Sequence, residues 1–343
     1  MAEQDTSLRF AVAFHGGAGV ISKERDPKEY IAALRRIVIN AYKYAASLPL
    51  VEDQAGSTDI VEYVVTLLEN ERMFNAGIGA VLNREGLHEL ESSIMEGSSK
   101  SCGANMLLKT VKNPISLARK VMTDTPHLCL GGVGAEAFAA TCGITPVENS
   151  YFRTAKRVAQ LVRAQETNSV ANDHDLDQDD EEEEEELDEH GENVNEKDMG
   201  TGTVGCVAMH NAHVAAATST GGMTNKYAGR VGDTCMIGAG TYANDETCAV
   251  SCTGKGEEFI RHVAAYDISA RIEFGGRSLD EACRETVHDR LPVGSGGVIA
   301  VNKAGECSMP YNSVGMFRGY CDSSGKCYIG IWDDNMEVKL PDV

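Results

Sequence analysis

Apolar residues along this chain fall into two main textures, mostly helical in spacing before residue 167 and mostly strand-like after residue 202, with an unpatterned stretch between them. Phe10 to Phe14 is a short apolar run ending in glycines, which predicts a buried strand feeding a tight turn. Asp26-Pro27 followed by Glu29 reads as a helix start with proline at the first position and a capping-box acid. Ile31, Leu34, Val38 and Ala41 then mark one face of a helix over about 27–46. Ser57 or Thr58 is placed to cap a second helix, with Ile60, Val64, Leu67 and Leu68 turned inward. Pro114 to Ala118 begins a third, and Ala135 to Ala140 a fourth that stops near Gly143. Past the unpatterned stretch, Val204–Met209 and Val214–Ser219 form a hairpin around His210-Asn211-Ala212. Glu257 to Phe274 reads as one helix with Phe259, Ile260, Val263, Ala264 and Ile268 on a side. Val298–Val301 and Cys307–Met309 make a last hairpin around Lys303-Ala304-Gly305. Helices and strands in such blocks predict layered sheets covered by helices, and no internal repeat is visible.

Composition changes this picture in one place. The 343 residues, 42% of them apolar and eight of them proline, suit an ordinary globular protein of one large domain or two. The formal charge of −21 is local: sixteen carboxylates against one lysine lie between Asp173 and Asp198, leaving about −6 for the rest. The stretch over about 167–200 has little to bury and reads as a linker or solvated loop. Nucleic acid is not an expected partner, because phosphate backbones need basic patches. No apolar run approaches the ~20 residues that span a bilayer. No basic segment leads into an apolar core as a secretory signal would. Eleven scattered cysteines without zinc spacing then predict free thiols and a cytoplasmic location, Cys252 among them as a buried structural thiol.

The candidate chemistry begins at Gly202-Thr203-Val204-Gly205, directly after the acidic run. A threonine hydroxyl is a weak nucleophile unless a base sits beside it, and a free α-amine on the same residue, with a pKa of roughly 7.7–8, is such a base. Thr203 is internal, so this role requires cleavage of the Gly202–Thr203 bond: attack of the hydroxyl on the Gly202 carbonyl, an N-to-O acyl shift, and hydrolysis of the ester. Alone, Thr203 would be read as an ordinary β-branched strand residue.

Other segments alter that reading. They are Phe14-His15-Gly16-Gly17-Ala18-Gly19, Met73-Phe74-Asn75-Ala76-Gly77-Ile78-Gly79, Ser219-Thr220-Gly221-Gly222-Met223-Thr224-Asn225-Lys226, Gly229-Arg230-Val231-Gly232-Asp233, Gly238-Ala239-Gly240, Ser251-Cys252-Thr253-Gly254-Lys255-Gly256 and Pro310-Tyr311-Asn312-Ser313. In this order they resemble the plant-type L-asparaginase/isoaspartyl aminopeptidase family of N-terminal-nucleophile hydrolases, from about Arg9 to Gly330 apart from the acidic insert. The resemblance implies an α+β fold, a four-layer αββα sandwich, self-processed into residues 1–202 and 203–343 that together make one folded domain. It implies release of L-aspartate from L-asparagine and from β-aspartyl dipeptides, and a dimer of cleaved heterodimers. Glycosylasparaginase and threonine-type proteases remain alternatives within the class, against which Gly202 speaks because those relatives carry Asp before the Thr. A non-enzyme alternative is an inactive scaffold whose acidic tail binds a basic partner.

Residue by residue, Thr203 is the expected nucleophile, Thr220 orients its amine and hydroxyl, and Asn75 lies close by in a supporting role. Arg230 and Asp233 would grip the carboxylate and ammonium of an amino-acid-like substrate, a use for which arginine's bidentate fork is suited; isolated, they would read as a surface ion pair. Thr253 and Gly254 offer a hydroxyl and a backbone N–H to an oxyanion, with Gly256 opening a helix behind them. His15 is expected to be structural, and without a GxSxG nucleophile elbow its glycine-rich loop is not that of an α/β-hydrolase. No cofactor is expected for catalysis. Relatives hold a structural Na⁺ on backbone carbonyls matching Leu68, Glu69, Glu71, Phe74, Ala76 and Ile78. Potassium-activated relatives carry a polar residue near the segment 121–128 where this chain has Leu128, which points away from K⁺ dependence.

Overall fold

The computed structural model describes residues 8–23, 26–49, 56–170 and 202–340. The first part contains strand β1 (Phe10–Gly19), helices α1 (Lys28–Ser47) and α2 (Gly56–Glu69), strands β2 (Leu90–Glu96) and β3 (Cys102–Leu108), helix α3 (Pro114–Asp124), strand β4 (Cys129–Gly131), and helices α4 (Gly132–Thr141) and α5 (Ala155–Glu166). After Gly202 come strands β5 (Val204–His210), β6 (His213–Thr220), β7 (Thr241–Ala243) and β8 (Ala249–Gly254), then helices α6 (Gly256–His262), α7 (Ala264–Glu273) and α8 (Leu279–Arg284). Strands β9 (Gly296–Val301), β10 (Cys307–Ser308), β11 (Gly315–Asp322), β12 (Cys327–Gly330) and β13 (Asn335–Glu337) complete the described chain. This is a mixed α+β fold, and no described helix is long and apolar enough to cross a membrane.

Among the described residues the strands form a nine-stranded sheet in the order β13-β12-β11-β1-β5-β6-β2-β3-β4 and a four-stranded sheet in the order β10-β9-β8-β7. Pairing is antiparallel except between β3 and β4 at one edge of the larger sheet. The period-2 pattern sorts residues between two apolar cores. Phe10, Val12 and Phe14 of β1, with Val204, Cys206 and Ala208 of β5, pack against α1 and α2. The alternate residues Ala11, Ala13, Val207 and Met209 meet Ala249, Ile299 and Val301 of the smaller sheet. A third core joins the other face of that sheet, through Val250, Cys252, Val298 and Ala300, to Phe259, Ile268 and Cys283 on its helices. Cys252 is buried with its thiol pushed well above its usual range by burial, and all eleven thiols are unpaired.

Several expectations need correction. The glycine-rich stretch after Phe14 does not turn; it stays in β1, with a bulge between His15 and Gly17 opposite β11. At the start of α1, Pro27 is the cap residue and the Asp26 carboxylate accepts from Lys28 N at 3.2 Å, so there is no capping box. Ser57 and Thr58 lie inside α2 rather than capping it. The long helix predicted from Glu257 is two helices, broken at Val263, which sits in the left-handed region (φ 48°, ψ 47°). The β5–β6 turn contains only Asn211 and Ala212, both left-handed, and the strands pair out to His210 and His213. Residues 167–170 belong to the folded part, Asn225 Nδ2 donating to Ser169 O at 2.6 Å; the acidic run lies outside the described residues.

Candidate active site

Thr203 enters β5 at the middle of the larger sheet. The register places Val204 opposite Ser219 on β6 and Gly205 opposite His15 on β1, so three separate motifs meet at one point. Thr203 is buried, and its backbone carbonyl accepts two hydrogen bonds, from His15 Nδ1 and from the Thr253 hydroxyl, each 2.9 Å. Because a carbonyl only accepts, His15 must carry its proton on Nδ1, leaving Nε2 to accept from Ser251 Oγ at 3.0 Å. Ser251 then accepts from Thr218 Oγ1 at 2.7 Å, and Thr241 donates to Thr218 at 2.5 Å. That tautomer, fixed by the Thr203 carbonyl, in turn orders the hydroxyls between the sheets into a one-directional chain. Burial drives the His15 ring to about 3, so it is neutral near pH 7.

Two glycines make this arrangement possible. A Cβ on Gly205 would lie 2.0 Å from Ser251 Oγ and 2.6 Å from His15 Nε2, inside the chain just described. A Cβ on Gly17 would lie 2.2 Å from Gly202 N, so the β1 bulge, with Gly17 at φ +118°, is what gives the residue before Thr203 its space.

The described pocket at Thr203 is lined by Asn75, Glu91, Gly202, Thr220, Gly222, Met223, Arg230, Asp233, Gly254 and Gly256. Asn75 and Thr220 hold its floor. Asn75 Nδ2 donates to Gly222 O at 2.8 Å and its Oδ1 accepts from Val81 N at 3.0 Å, while Thr220 Oγ1 accepts from Gly222 N at 3.0 Å. Thr253 directs its hydroxyl at Thr203 O in this uncleaved chain. Gly256 opens α6, which is seven residues long, less support for a helix-dipole effect than the single long helix expected from sequence.

Arg230 and Asp233 both reach this pocket but are not partnered as read from sequence. Arg230 Nη2 and Nε donate to the Glu257 carboxylate at 2.9 and 3.1 Å. Asp233 is buried, and its Oδ2 has no hydrogen-bond partner among the described residues. Burial, with the Glu91 carboxylate adding to it, pushes the Asp233 carboxyl up to about 7, against the pull of Arg230. Glu91 accepts from Gly232 N at 3.0 Å and so anchors the Arg230–Asp233 loop. Lys226 is buried with its ammonium on Glu89 O and Gly221 O at 2.8 and 2.7 Å, and burial draws it down to about 8. Glu91, Glu257 and Lys226 were missed as site residues. A carboxylate at the start of a buried strand is a signal that could have found Glu91, which pairs across the sheet with Thr220.

The carbonyls expected to hold Na⁺ run from the last two residues of α2, Leu68 and Glu69, through the segment that follows to Ile78. A Cβ on Gly77 would meet Glu69 O at 2.2 Å, and one on Gly79 would meet Phe74 O at 2.1 Å. Carbonyls of Leu68, Glu71, Phe74 and Ala76 each accept one backbone N–H. The Glu69 carboxyl below them, raised to about 7 by burial, is bonded to Ser219, Asn113 and Ile115 N. Leu128 is exposed, with its carbonyl accepting from Ala104 N at 2.8 Å.

Comparison with known proteins gives one consistent result. The sequence family described as asparaginase matches residues 8–331. A Salmonella typhimurium protein named isoaspartyl peptidase is 44% identical over 316 residues, covering 90% of this chain and 94% of its own. An Arabidopsis thaliana protein named probable isoaspartyl peptidase/L-asparaginase 2 is 39% identical over 332 residues, 94% and 99% of the two chains. A Xenopus laevis isoaspartyl peptidase/L-asparaginase is 36% identical over 334 residues, 96% and 98% of the two chains.

Proposed function

This chain belongs to the asparaginase family, and from that premise we propose that it is an amidohydrolase releasing L-aspartate from L-asparagine and from β-aspartyl dipeptides, activated by its own cleavage. The observation that carries the reading is the convergence of Thr203, Arg230, Asp233 and Gly254 on one pocket. Attack of the Thr203 hydroxyl on the Gly202 carbonyl, followed by hydrolysis of the resulting ester, frees the Thr203 amine as a base. Arg230 exchanges the Glu257 carboxylate for the α-carboxylate of the substrate, and Asp233 Oδ2 takes the α-ammonium. Thr203 then attacks the side-chain carbonyl, its proton passes through the new amine to the departing nitrogen, and the C–N bond breaks. Water cleaves the acyl-threonine ester and regenerates the hydroxyl. Gly254 N–H is the assigned donor to the oxyanion, joined by the Thr253 hydroxyl when it turns from Thr203 O, and Gly256 packs behind Asp233. Thr220 and Asn75 keep the wall of the site in place.

The same proposal includes the four-layer αββα sandwich, supported by three apolar cores separated by two sheets. It includes a dimer of cleaved heterodimers in the cytoplasm, in keeping with eleven unpaired thiols. A structural Na⁺ would rest on the carbonyls of Leu68, Glu69, Glu71, Phe74, Ala76 and Ile78, supported by how closely Gly77 and Gly79 let two of these carbonyls approach the turn. When bound it would neutralise those carbonyl dipoles and take no part in the reaction.

Aspartate release from L-asparagine and a β-aspartyl dipeptide tests the reading. Only ionised Asp233 pairs with an ammonium group, so KM should fall as pH rises through about 7 and then level off. Asp233→Asn should raise KM about 100-fold, the scale expected when one partner of a buried charged pair is removed. A KM indifferent to both changes would remove Asp233 from the binding role.

A further inference from the structure

A second hollow, about 270 Å³, lies beside the nucleophile and shares Gly254 with its pocket. Its lining includes Ala18, Val20, Lys255, Val293, Ser295 and Val314, and it is predominantly apolar. Val293 and Val314 are 89% and 48% exposed, in the open where a side chain from solution can reach them. Lys255 is exposed, and among the described residues no carboxylate pairs with it. Gly202 connects the two spaces: it lines the nucleophile pocket, and a Cβ built on it would lie 3.1 Å from Thr253 Oγ1 and 3.4 Å from Ala18 O, at the edge of the second hollow.

We propose that this hollow is the leaving-group subsite for β-aspartyl dipeptides, receiving an apolar side chain against Val20, Val293 and Val314 and the terminal carboxylate at Lys255. The proposal rests on the reading of the nucleophile pocket above. With the aspartyl part held by Arg230 and Asp233, the departing amino acid lies across the scissile carbonyl from them, and the space beyond Thr203 and Gly254 leads to Ala18 and Lys255. Cleavage of the Gly202–Thr203 bond releases Gly202 to move from between them. The leaving group of L-asparagine is ammonia, which has nothing to place there. The subsite therefore acts on dipeptides only and selects leucine-like over acidic leaving residues, since a leucine side chain covers the water-exposed Val293 and Val314 while a carboxylate gains no apolar contact there.

The test uses the cleaved full-length protein with L-asparagine, β-aspartyl-leucine, β-aspartyl-glutamate and β-aspartyl-leucinamide. The wild type should favour β-aspartyl-leucine over β-aspartyl-glutamate by about tenfold or more in kcat/KM, within the range one apolar contact set supplies. Val314→Asp and, independently, Val293→Asp should each reduce kcat/KM for β-aspartyl-leucine about tenfold while changing L-asparagine hydrolysis less than about twofold. Lys255→Ala should weaken β-aspartyl-leucine but not the leucinamide, which lacks the carboxylate. Equal losses on L-asparagine and the dipeptide, or a wild type indifferent to the leaving residue, would overturn the subsite. A wild type that hydrolyses none of the four compounds would overturn the parent reading, and this one with it.

Discussion

The Thr203 carbonyl is gripped by two donors, and this detail says more about His15 than its place in a glycine-rich motif does. Nδ1–H fixes the peptide plane of Thr203, the carbonyl in turn fixes which nitrogen has the proton, and Ser251 satisfies the other nitrogen. His15 is then a positioning residue acting through the backbone of Thr203. Asparagine places an N–H close to where Nδ1 stands; leucine does not. His15→Leu should slow Gly202–Thr203 cleavage and lower kcat by about tenfold or more, roughly the loss of one preorganised hydrogen bond with its partner left buried. KM should move less than about threefold, and His15→Asn should restore most of the rate. Acid stability gives a second readout. The ring titrates at about 3 folded against 6.5 unfolded, so the folded state binds fewer protons between those values. That contribution to stability is present above pH 6.5 and is lost as pH falls toward 3; His15→Asn should make the acid limb shallower. Equal defects in both variants would reduce the residue to a packing role. Thr203, Arg230 and Asp233 were legible because their chemistry is written in short motifs. Glu257 as the partner of Arg230 was not, because 27 residues separate them and only the approach of α6 to the Arg230 loop brings them together.

At the level of elements, local rules held where one face is apolar and failed where tertiary contacts decide. Alternation in β5 and β6 was readable because each face meets a different core. Strands β2 and β3 were not predicted, since Glu91, Ser92, Ser93 and Asn105 are polar residues buried by bonding to other elements. The division at Val263 was likewise hidden, because a β-branched residue in the left-handed region contradicts its own preference. Ala212 is a smaller conflict of the same kind. A two-residue hairpin turn with both positions left-handed favours glycine, yet alanine stands there at φ 63°. Ala212→Gly should raise stability by roughly 0.5–1 kcal/mol, the relief of left-handed strain less the added entropy of the unfolded chain. Chemical denaturation checks this, with cleavage and activity unchanged; a loss of stability would mean the turn is not strained.

Over the whole molecule, the sheet order has a consequence for cleavage. Strand β1 precedes Gly202 yet lies between β11 and β5, and β2 lies beside β6, so the two sides of the proposed cut share one continuous sheet. Breaking one peptide bond leaves those ladders intact, and the two pieces should remain one particle until denatured. The mixed α+β class was readable from periodicity and the family resemblance, whereas the strands interleaved with the first helices were largely not. The edge pairing of β3 with β4 and the neighbours of β1 depend on long-range register that no local pattern records. The most direct test of the account is intact mass with N-terminal sequencing of the denatured protein, beside Thr203→Ala. The account predicts two fragments from the wild type, the second beginning at Thr203, and one uncut chain from the variant. A wild-type chain that stays whole while hydrolysing L-asparagine, or a variant that still cleaves before residue 203, would contradict it.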